Sequence, residues 1–75
     1  SGASYYNLHF YDPALSYFQQ AYEYYKSWGD LNYYIGVCFL KKSVPENNKA
    51  IEFFKRAEIL GVKLPPEIID LIHKR

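Results

Sequence analysis

Three side chains in this sequence have the chemistry of a nucleophile or a metal ligand: Cys38, His9 and His73. A thiol attacks substrates only where its surroundings favour the thiolate, yet Cys38 lies in the apolar run 31–42, where cysteine is usually an inert core residue. The two histidines lie near opposite ends of the 75-residue chain, with no carboxylate or thiol at metal-ligand spacing. The sequence therefore predicts no catalytic, cofactor-binding or metal site.

Composition indicates a globular domain, and its charge suggests neither a nucleic acid nor an anionic membrane as a partner. Hydrophobic residues make up 49% and aromatic residues 20% of the chain, whereas the formal net charge is only +1. No apolar run approaches the ~20 residues of a membrane span, so we expect no membrane insertion. The single cysteine neither requires nor excludes an oxidising compartment.

The basic residues suggest nucleic-acid binding as an alternative function. Eight acidic residues are spread among these cations, so solvated helix faces are the favoured interpretation and no nucleic-acid binding is expected. The cations concerned are Lys41, Lys42, Lys49, Lys55, Arg56, Lys74 and Arg75.

Proline, glycine and capping residues divide the chain into five predicted helices. Asp12 and Asp30 are predicted N-caps, while Gly29 and Gly61 are predicted to break the helices before them. No segment alternates with the period of a strand, so the predicted fold class is all-α. We expect helices over residues 3–8, 13–27, 31–42, 45–60 and 66–75.

Two segments repeat the same residue classes 36 positions apart. ALSYFQQA, Ala14–Ala21, matches AIEFFKRA, Ala50–Ala57, at every position in side-chain class. A period of this size is typical of stacked helical hairpins. Gly36 has a counterpart in Gly2, 34 positions earlier, and is expected to face Ala50 across an antiparallel helix pair.

These residues resemble the tetratricopeptide repeat, a helix-turn-helix unit of about 34 residues. Ile35-Gly36-x-x-Phe39 stands where the family has Leu-Gly-x-x-Tyr. Ala50-x-x-x-Phe54-x-x-Ala57 stands where it has Ala-x-x-x-Phe/Tyr-x-x-Ala, and Ala14, Phe18 and Ala21 repeat that half. The resemblance implies an α-solenoid fragment of antiparallel repeats, forming the C-terminal part of a larger repeat protein. Its parts are a partial first repeat over 1–28, a second repeat over 29–62 and a capping helix over 63–75.

The resemblance also implies a protein–protein interaction module. In such arrays the first helices line a concave surface that binds a peptide or a partner protein. The partner-binding residues are then Asp30, Tyr33, Val37, Leu40 and Lys41. The alternative is that these residues pack against a neighbouring repeat or a second copy. The chain is then a related helical repeat with a longer inner loop, or another helical oligomerisation domain with a purely structural role.

Tyrosines crowd the N-terminal half of the chain, most densely in YEYYKSW, residues 22–28. A core this small does not easily cover so many rings, so part of them is expected to contact another chain. With the incomplete first repeat, this predicts self-association of the isolated chain through Tyr5, Tyr6, Tyr22 and Tyr25. The alternative is an aromatic shell over the turn at Gly29.

Overall fold

The computed structural model describes residues 2–73, and over this range it contains five α-helices and no strand. The predicted all-α class is thereby confirmed. Residues 74 and 75, which the prediction included in the last helix, lie outside the described residues. The helices are α1 (Gly2–Asn7), α2 (Tyr11–Tyr22), α3 (Gly29–Lys41), α4 (Asn47–Ile59) and α5 (Pro66–His73).

Each helix packs mainly against the next one along the chain. α3 lies between α2 and α4, and seven of its residues are buried: Leu31, Asn32, Ile35, Gly36, Val37, Cys38 and Phe39. A helix that is apolar almost all round requires such cover on several faces. α2 and α4 bury only the narrow stripe of an amphipathic helix, which includes Ala14 in α2 and Ala50 in α4.

The two glycines 34 positions apart make the same contact with an aromatic ring. A Cβ carbon at Gly36 would lie 2.7 Å from the Phe54 ring, and one at Gly2 would lie 3.0 Å from the Phe18 ring. The three atoms nearest to a Cβ carbon at Gly36 thus all belong to the Phe54 ring, one turn along α4 from the predicted Ala50. The small residue is needed because a flat ring, rather than a second small residue, fills the space between the helices.

A second contact also occurs in both helix pairs. Tyr5 of α1 stacks on Tyr17 of α2 with ring centroids 5.5 Å apart, and Phe39 of α3 stacks on Phe53 of α4 at 5.7 Å. The interplanar angle is 25° in both pairs. The α1–α2 and α3–α4 pairs thus share two residue contacts in matching geometry.

α2 ends at Tyr22, five residues before the predicted end at Ser27. Residues 23–28 form a loop instead, which the buried side chain of Asn32 holds from α3. Its Nδ2 donates hydrogen bonds to the backbone oxygens of Lys26 at 3.0 Å and Trp28 at 2.8 Å. Helical periodicity could not predict this end, because the contact that fixes it comes from the next helix.

Gly29 and Gly61 both lie at helix ends, but only Gly61 ends a helix. Gly61 has a φ of 95°, in the left-handed region that favours glycine, and follows Leu60, the C-cap of α4. Gly29 begins α3, so its predicted role as a helix breaker is wrong. A Cβ carbon there would lie 2.7 Å from Cγ2 of Val62, so its smallness serves close packing.

The two predicted N-caps are also wrong. Phe10 and Trp28 hold those positions, and Asp12 and Asp30 lie in the first turns of α2 and α3. A carboxylate remains favourable there because of the helix dipole. Oδ2 of Asp12 instead accepts hydrogen bonds from Oγ of Ser43 at 2.7 Å and from its backbone N–H at 3.2 Å. The start of α2 is thereby tied to the loop between α3 and α4.

Candidate functional site

A groove of about 410 Å³ opens between the odd-numbered helices of the fold. We call it the α1–α3–α5 groove, because most of its walls belong to these three helices. Its lining residues are Tyr6, Asn7, His9, Tyr11, Tyr33, Val37, Leu40, Lys41, Pro65, Glu67 and Ile68.

α3 supplies the floor of the groove. Tyr33, Val37, Leu40 and Lys41 follow the i, i+4, i+7, i+8 spacing of one helical stripe. Val37 is buried, Tyr33 and Leu40 are half-buried, and Lys41 is exposed. The structure thus brings together four of the five residues that the sequence assigned to partner binding. Asp30, the fifth, is exposed in the first turn of α3 and does not line the groove.

α1 forms one wall, which the sequence assignment missed because it considered only the helix over 31–42. Tyr6 and Asn7 line the groove from α1. They stand 34 positions before Leu40 and Lys41, the same offset that relates Gly2 to Gly36. Applying the repeat offset to the assigned residues would have found both.

α5 and the residue before it form the opposite wall. Pro65, Glu67 and Ile68 line the groove, and Ile68 is buried. Glu67 is the only acidic lining residue and Lys41 the only lysine or arginine, so the lining carries one formal charge of each sign. Charge alone therefore selects neither an acidic nor a basic ligand.

Burial in the groove raises the pKa of two tyrosines, Tyr6 and Tyr33. Burial raises the pKa of Tyr6 to about 12, with a further contribution from neighbouring Tyr33 and Tyr11. Burial also raises the pKa of Tyr33, and the carboxylate of Glu67 adds to this effect. Both hydroxyls therefore remain hydrogen-bond donors at neutral pH.

His9 lies at the edge of the groove, in the turn between α1 and α2. Its φ of 64° is in the left-handed region, which residues other than glycine seldom adopt. Its Nδ1 is 2.8 Å from the hydroxyl oxygen of Tyr11, and the two rings are in contact. The turn thus fixes an imidazole and a phenol side by side at one end of the groove.

The other two side chains with the chemistry of a nucleophile or metal ligand, Cys38 and His73, do not line the groove. The side chain of Cys38 has no exposed surface, and burial raises its pKa to about 12, so the reactive thiolate is suppressed. Nε2 of His73 lies 3.4 Å from an oxygen of Glu58 on the surface. Residues 2–73 contain no group of three or more His, Cys, Asp or Glu that could hold a metal ion.

Several of the cations that raised the nucleic-acid alternative are in ion pairs. Lys42 and Lys49 both pair with Glu46, at 2.8 and 3.5 Å, and Arg56 pairs with Glu52 at 3.1 Å. Positions 74 and 75, the last two of that set, lie outside the described residues. These pairs interrupt the positive potential that a phosphate backbone would need.

The four tyrosines assigned to self-association lie in different places. Tyr5 and Tyr6 pack against α2, and Tyr22 packs against Phe53 of α4 with ring centroids 5.3 Å apart. Tyr25 is exposed in the loop over 23–28. Tyr5, Tyr6 and Tyr22 are thus half-buried within the chain, and Tyr25 is the exposed member of the set.

Comparisons with known protein families, curated proteins and solved structures gave no match to this chain. Over residues 2–73, the protein has no helix with the length and apolar character that a bilayer crossing demands.

Proposed function

We propose that this chain is a protein–protein interaction module that binds an extended peptide segment of a partner in the α1–α3–α5 groove. The observation that carries the proposal is the apolar lining of the groove, where Leu40 is half-buried and Val37 and Ile68 are 6% and 8% exposed. Partly exposed apolar residues at the bottom of a groove are typical anchor positions for a peptide side chain.

The polar residues at the rim suit a peptide main chain. Tyr6 and Tyr33 supply hydroxyl donors, and Asn7 supplies an amide that both donates and accepts. A volume of about 410 Å³ is near the lower end for ligand pockets. The groove therefore has room for one or two anchor side chains, and the rest of the peptide lies along its edge.

The resemblance to tetratricopeptide repeats supports the same function. The α1–α2 and α3–α4 pairs share two contacts in matching geometry, so we propose that they are two units of one repeat. α1 and α3 are then the first helices of their units, and α5 takes the same side as a cap. In this family the concave surface formed by first helices is where partners bind.

The test is selection of short peptides from a random display library on the intact chain. Affinity of the best peptide is then measured by calorimetry for wild type and for Tyr33→Ala plus Leu40→Ala. Removal of two anchors is expected to cost about 2 kcal/mol, a loss of about 30-fold in affinity.

The chain offers a matched control pair. Tyr24→Ala plus Ile59→Ala removes the same kinds of side chain from positions that are 83% and 84% exposed and lie outside the groove. This variant should bind as wild type. Equal binding by both double variants, with both folded by circular dichroism, would show that the groove is not the binding site.

An assembly role is the second candidate function. It is favoured by large apolar side chains that remain exposed outside the groove, among them Tyr25, Trp28 and Ile59. If the library yields no groove-dependent peptide while the chain self-associates, this candidate replaces the first.

A further inference from the structure

The charged side chains of Lys41 and Glu67, which line the α1–α3–α5 groove, are both open to a ligand. Both residues are exposed. Within the described range 2–73, neither side chain forms an ion pair or a hydrogen bond, whereas Lys42, Lys49 and Arg56 are all paired with glutamates. The groove thus presents one unpaired charge of each sign.

Lys41 lies at the end of the groove that the turn between α1 and α2 forms. It lines the groove together with His9 and Tyr11, and the same three residues line an adjoining cavity. Asp12 also lines that cavity but not the groove, and its Oδ2 accepts two hydrogen bonds from Ser43. A ligand in the groove therefore meets a positive charge at this end.

Glu67 lies beside Tyr33, about two helical turns away from Lys41. Its carboxylate is close enough to raise the pKa of Tyr33. Tyr33 precedes Lys41 by eight residues on α3, which corresponds to a rise of about 12 Å along the helix. Glu67 does not line the adjoining cavity that Lys41 shares. The two charges thus lie at different ends of the groove, with the apolar stripe of Val37 and Leu40 between them.

This spacing matches that of an extended peptide. An extended chain rises about 3.3 Å per residue and directs alternate side chains to the same face. Residues i, i+2 and i+4 of such a peptide therefore face the groove together and span about 13 Å. The outer two positions reach the two charges, and the middle position reaches the half-buried Leu40.

On the basis of the proposed function, we infer that the peptide bound in the groove carries an aliphatic residue flanked, two positions away on either side, by one acidic and one basic residue. The acidic side chain binds Lys41 and the basic side chain binds Glu67. The order of the two charges in the peptide then sets the direction in which it lies along α3. Because both pairs are partly exposed, they select the peptide more than they tighten its binding.

The probes are two synthetic peptides, acetylated and amidated so that no terminal charge can replace a side chain. One has aspartate, leucine and lysine at alternate positions with serine between them, and the other has the two charged residues exchanged. A third, neutral peptide has asparagine and glutamine in their place. Each is titrated into the intact, isotope-labelled chain, and the amide signals of Val37 and Leu40 give the dissociation constant. At least one charged peptide should bind about fivefold more tightly than the neutral one, and about 1 M salt should remove this advantage.

Reversal of one charge at a time tests the two pairs. Lys41→Glu should weaken the better peptide about tenfold, because repulsion replaces attraction. Replacement of the peptide's aspartate by lysine should restore the affinity for this variant. Glu67→Lys is the mirror experiment, in which aspartate in place of the peptide's lysine restores binding. Lys55→Glu makes the same change in net charge at an exposed position of α4 outside the groove and should bind as wild type.

Three results would each overturn the inference: no advantage of either charged peptide over the neutral one, undiminished binding by folded Lys41→Glu, or no rescue by the altered peptides. Circular dichroism checks the folding of every variant. The library selection tests the proposed function separately. A selected peptide that depends on Tyr33 and Leu40 but carries no charge would keep the groove as the binding site and refute its charge selectivity. If no selected peptide depends on the groove, both proposals are wrong.

Discussion

The ring of Phe54 fills the space beside Gly36, and two of its carbons would lie 2.7 Å from a Cβ carbon at that position. Carbon atoms do not approach so closely without a shift of one partner. α3 and α4 therefore meet at a point where glycine is the only residue that leaves the ring undisturbed. The contact lies in the core, since both residues are buried.

Gly36→Ala is predicted to destabilise the protein, although alanine is the better helix former by about 1 kcal/mol. Displacement of the buried ring outweighs this gain, and the expected net loss is about 1–3 kcal/mol in the free energy of unfolding. Urea denaturation measures it. Gly2→Ala is the matched control and should cost less, because its Cβ carbon would lie farther from its neighbours, 3.0 Å from the half-buried Phe18 ring and 3.1 Å from Cβ of Tyr17.

A double-mutant cycle identifies the ring as the cause. Phe54→Leu removes part of the clash, so Gly36→Ala should cost less in that background than in wild type. Equal costs in the two backgrounds would mean that the alanine is unfavourable for a reason other than Phe54.

Asn32→Asp is predicted to be severely destabilising at neutral pH. The change keeps the shape but replaces a donor of two hydrogen bonds with an oxygen beside the carbonyls of Lys26 and Trp28. Burial of an unpaired carboxylate at this site is expected to cost about 3 kcal/mol or more. The loss relative to wild type should shrink at acid pH, because the protonated acid can donate again.

Asn48→Asp is the control for that substitution. Asn48 is exposed in the first turn of α4, where a negative charge is mildly favourable. Thermal unfolding at pH 4 and pH 7 compares the two variants. If Asn32→Asp were no worse than Asn48→Asp, the side chain of Asn32 would not hold the loop over 23–28.

The tie between Asp12 and Ser43 is predicted to weaken in acid. Hydrogen bonds from the hydroxyl and backbone N–H of Ser43 lower the pKa of Asp12 from 3.8. A pKa that is lower in the folded state stabilises that state above the unfolded pKa, and this contribution is lost as pH falls through the folded value. Wild type should therefore lose stability between about pH 5 and pH 2 more steeply than Asp12→Asn.

The difference between the stability–pH curves of wild type and Asp12→Asn isolates the contribution of the hydrogen bonds between Asp12 and Ser43. The pKa of Glu46 is also lowered, mainly by the hydrogen bond from Lys42, but that pair is present in both proteins and cancels. Ser43→Ala should flatten the curve in the same direction. Parallel curves for all three proteins would show that the tie does not contribute.

Self-association of the isolated chain remains a prediction. Multi-angle light scattering at micromolar concentration should give a mass above 8.9 kDa that rises with concentration. Tyr25→Ala should reduce it without loss of stability, because Tyr25 is 58% exposed and its ring contact is with Trp28, which is 53% exposed. Tyr24→Ala, at 83% exposure, is the control. A strictly monomeric wild-type chain would refute this prediction.

The end of a helix could be predicted from the sequence where the residues at that end alone determine it. Gly61 ends α4 as expected because only glycine readily takes its positive φ. Phe18 and Phe54, which the repeated pattern pairs, each contact a glycine of the preceding helix. These features depend on residues close in sequence or on a periodicity that the chain displays.

The remaining features depend on contacts between elements. The end of α2 is fixed by Asn32 of the next helix, and Asp12 turns to Ser43 instead of capping its own helix. The α1–α3–α5 groove needs three helices, so a single helical stripe could predict only its floor. Asp30 lies on the same helix as that stripe, but in its first turn, and it does not line the groove.

The buried thiol of Cys38 makes the opening of α3 measurable in the unmodified protein. It is the only cysteine, has no exposed surface and holds its proton at neutral pH. A disulfide reagent can therefore react with it only during excursions in which α3 separates from its neighbours. The labelling rate, divided by that of a free thiol, gives the free energy of this excursion. The thiol of Cys38 therefore reports how often the core opens at α3, the helix that packs against both α2 and α4.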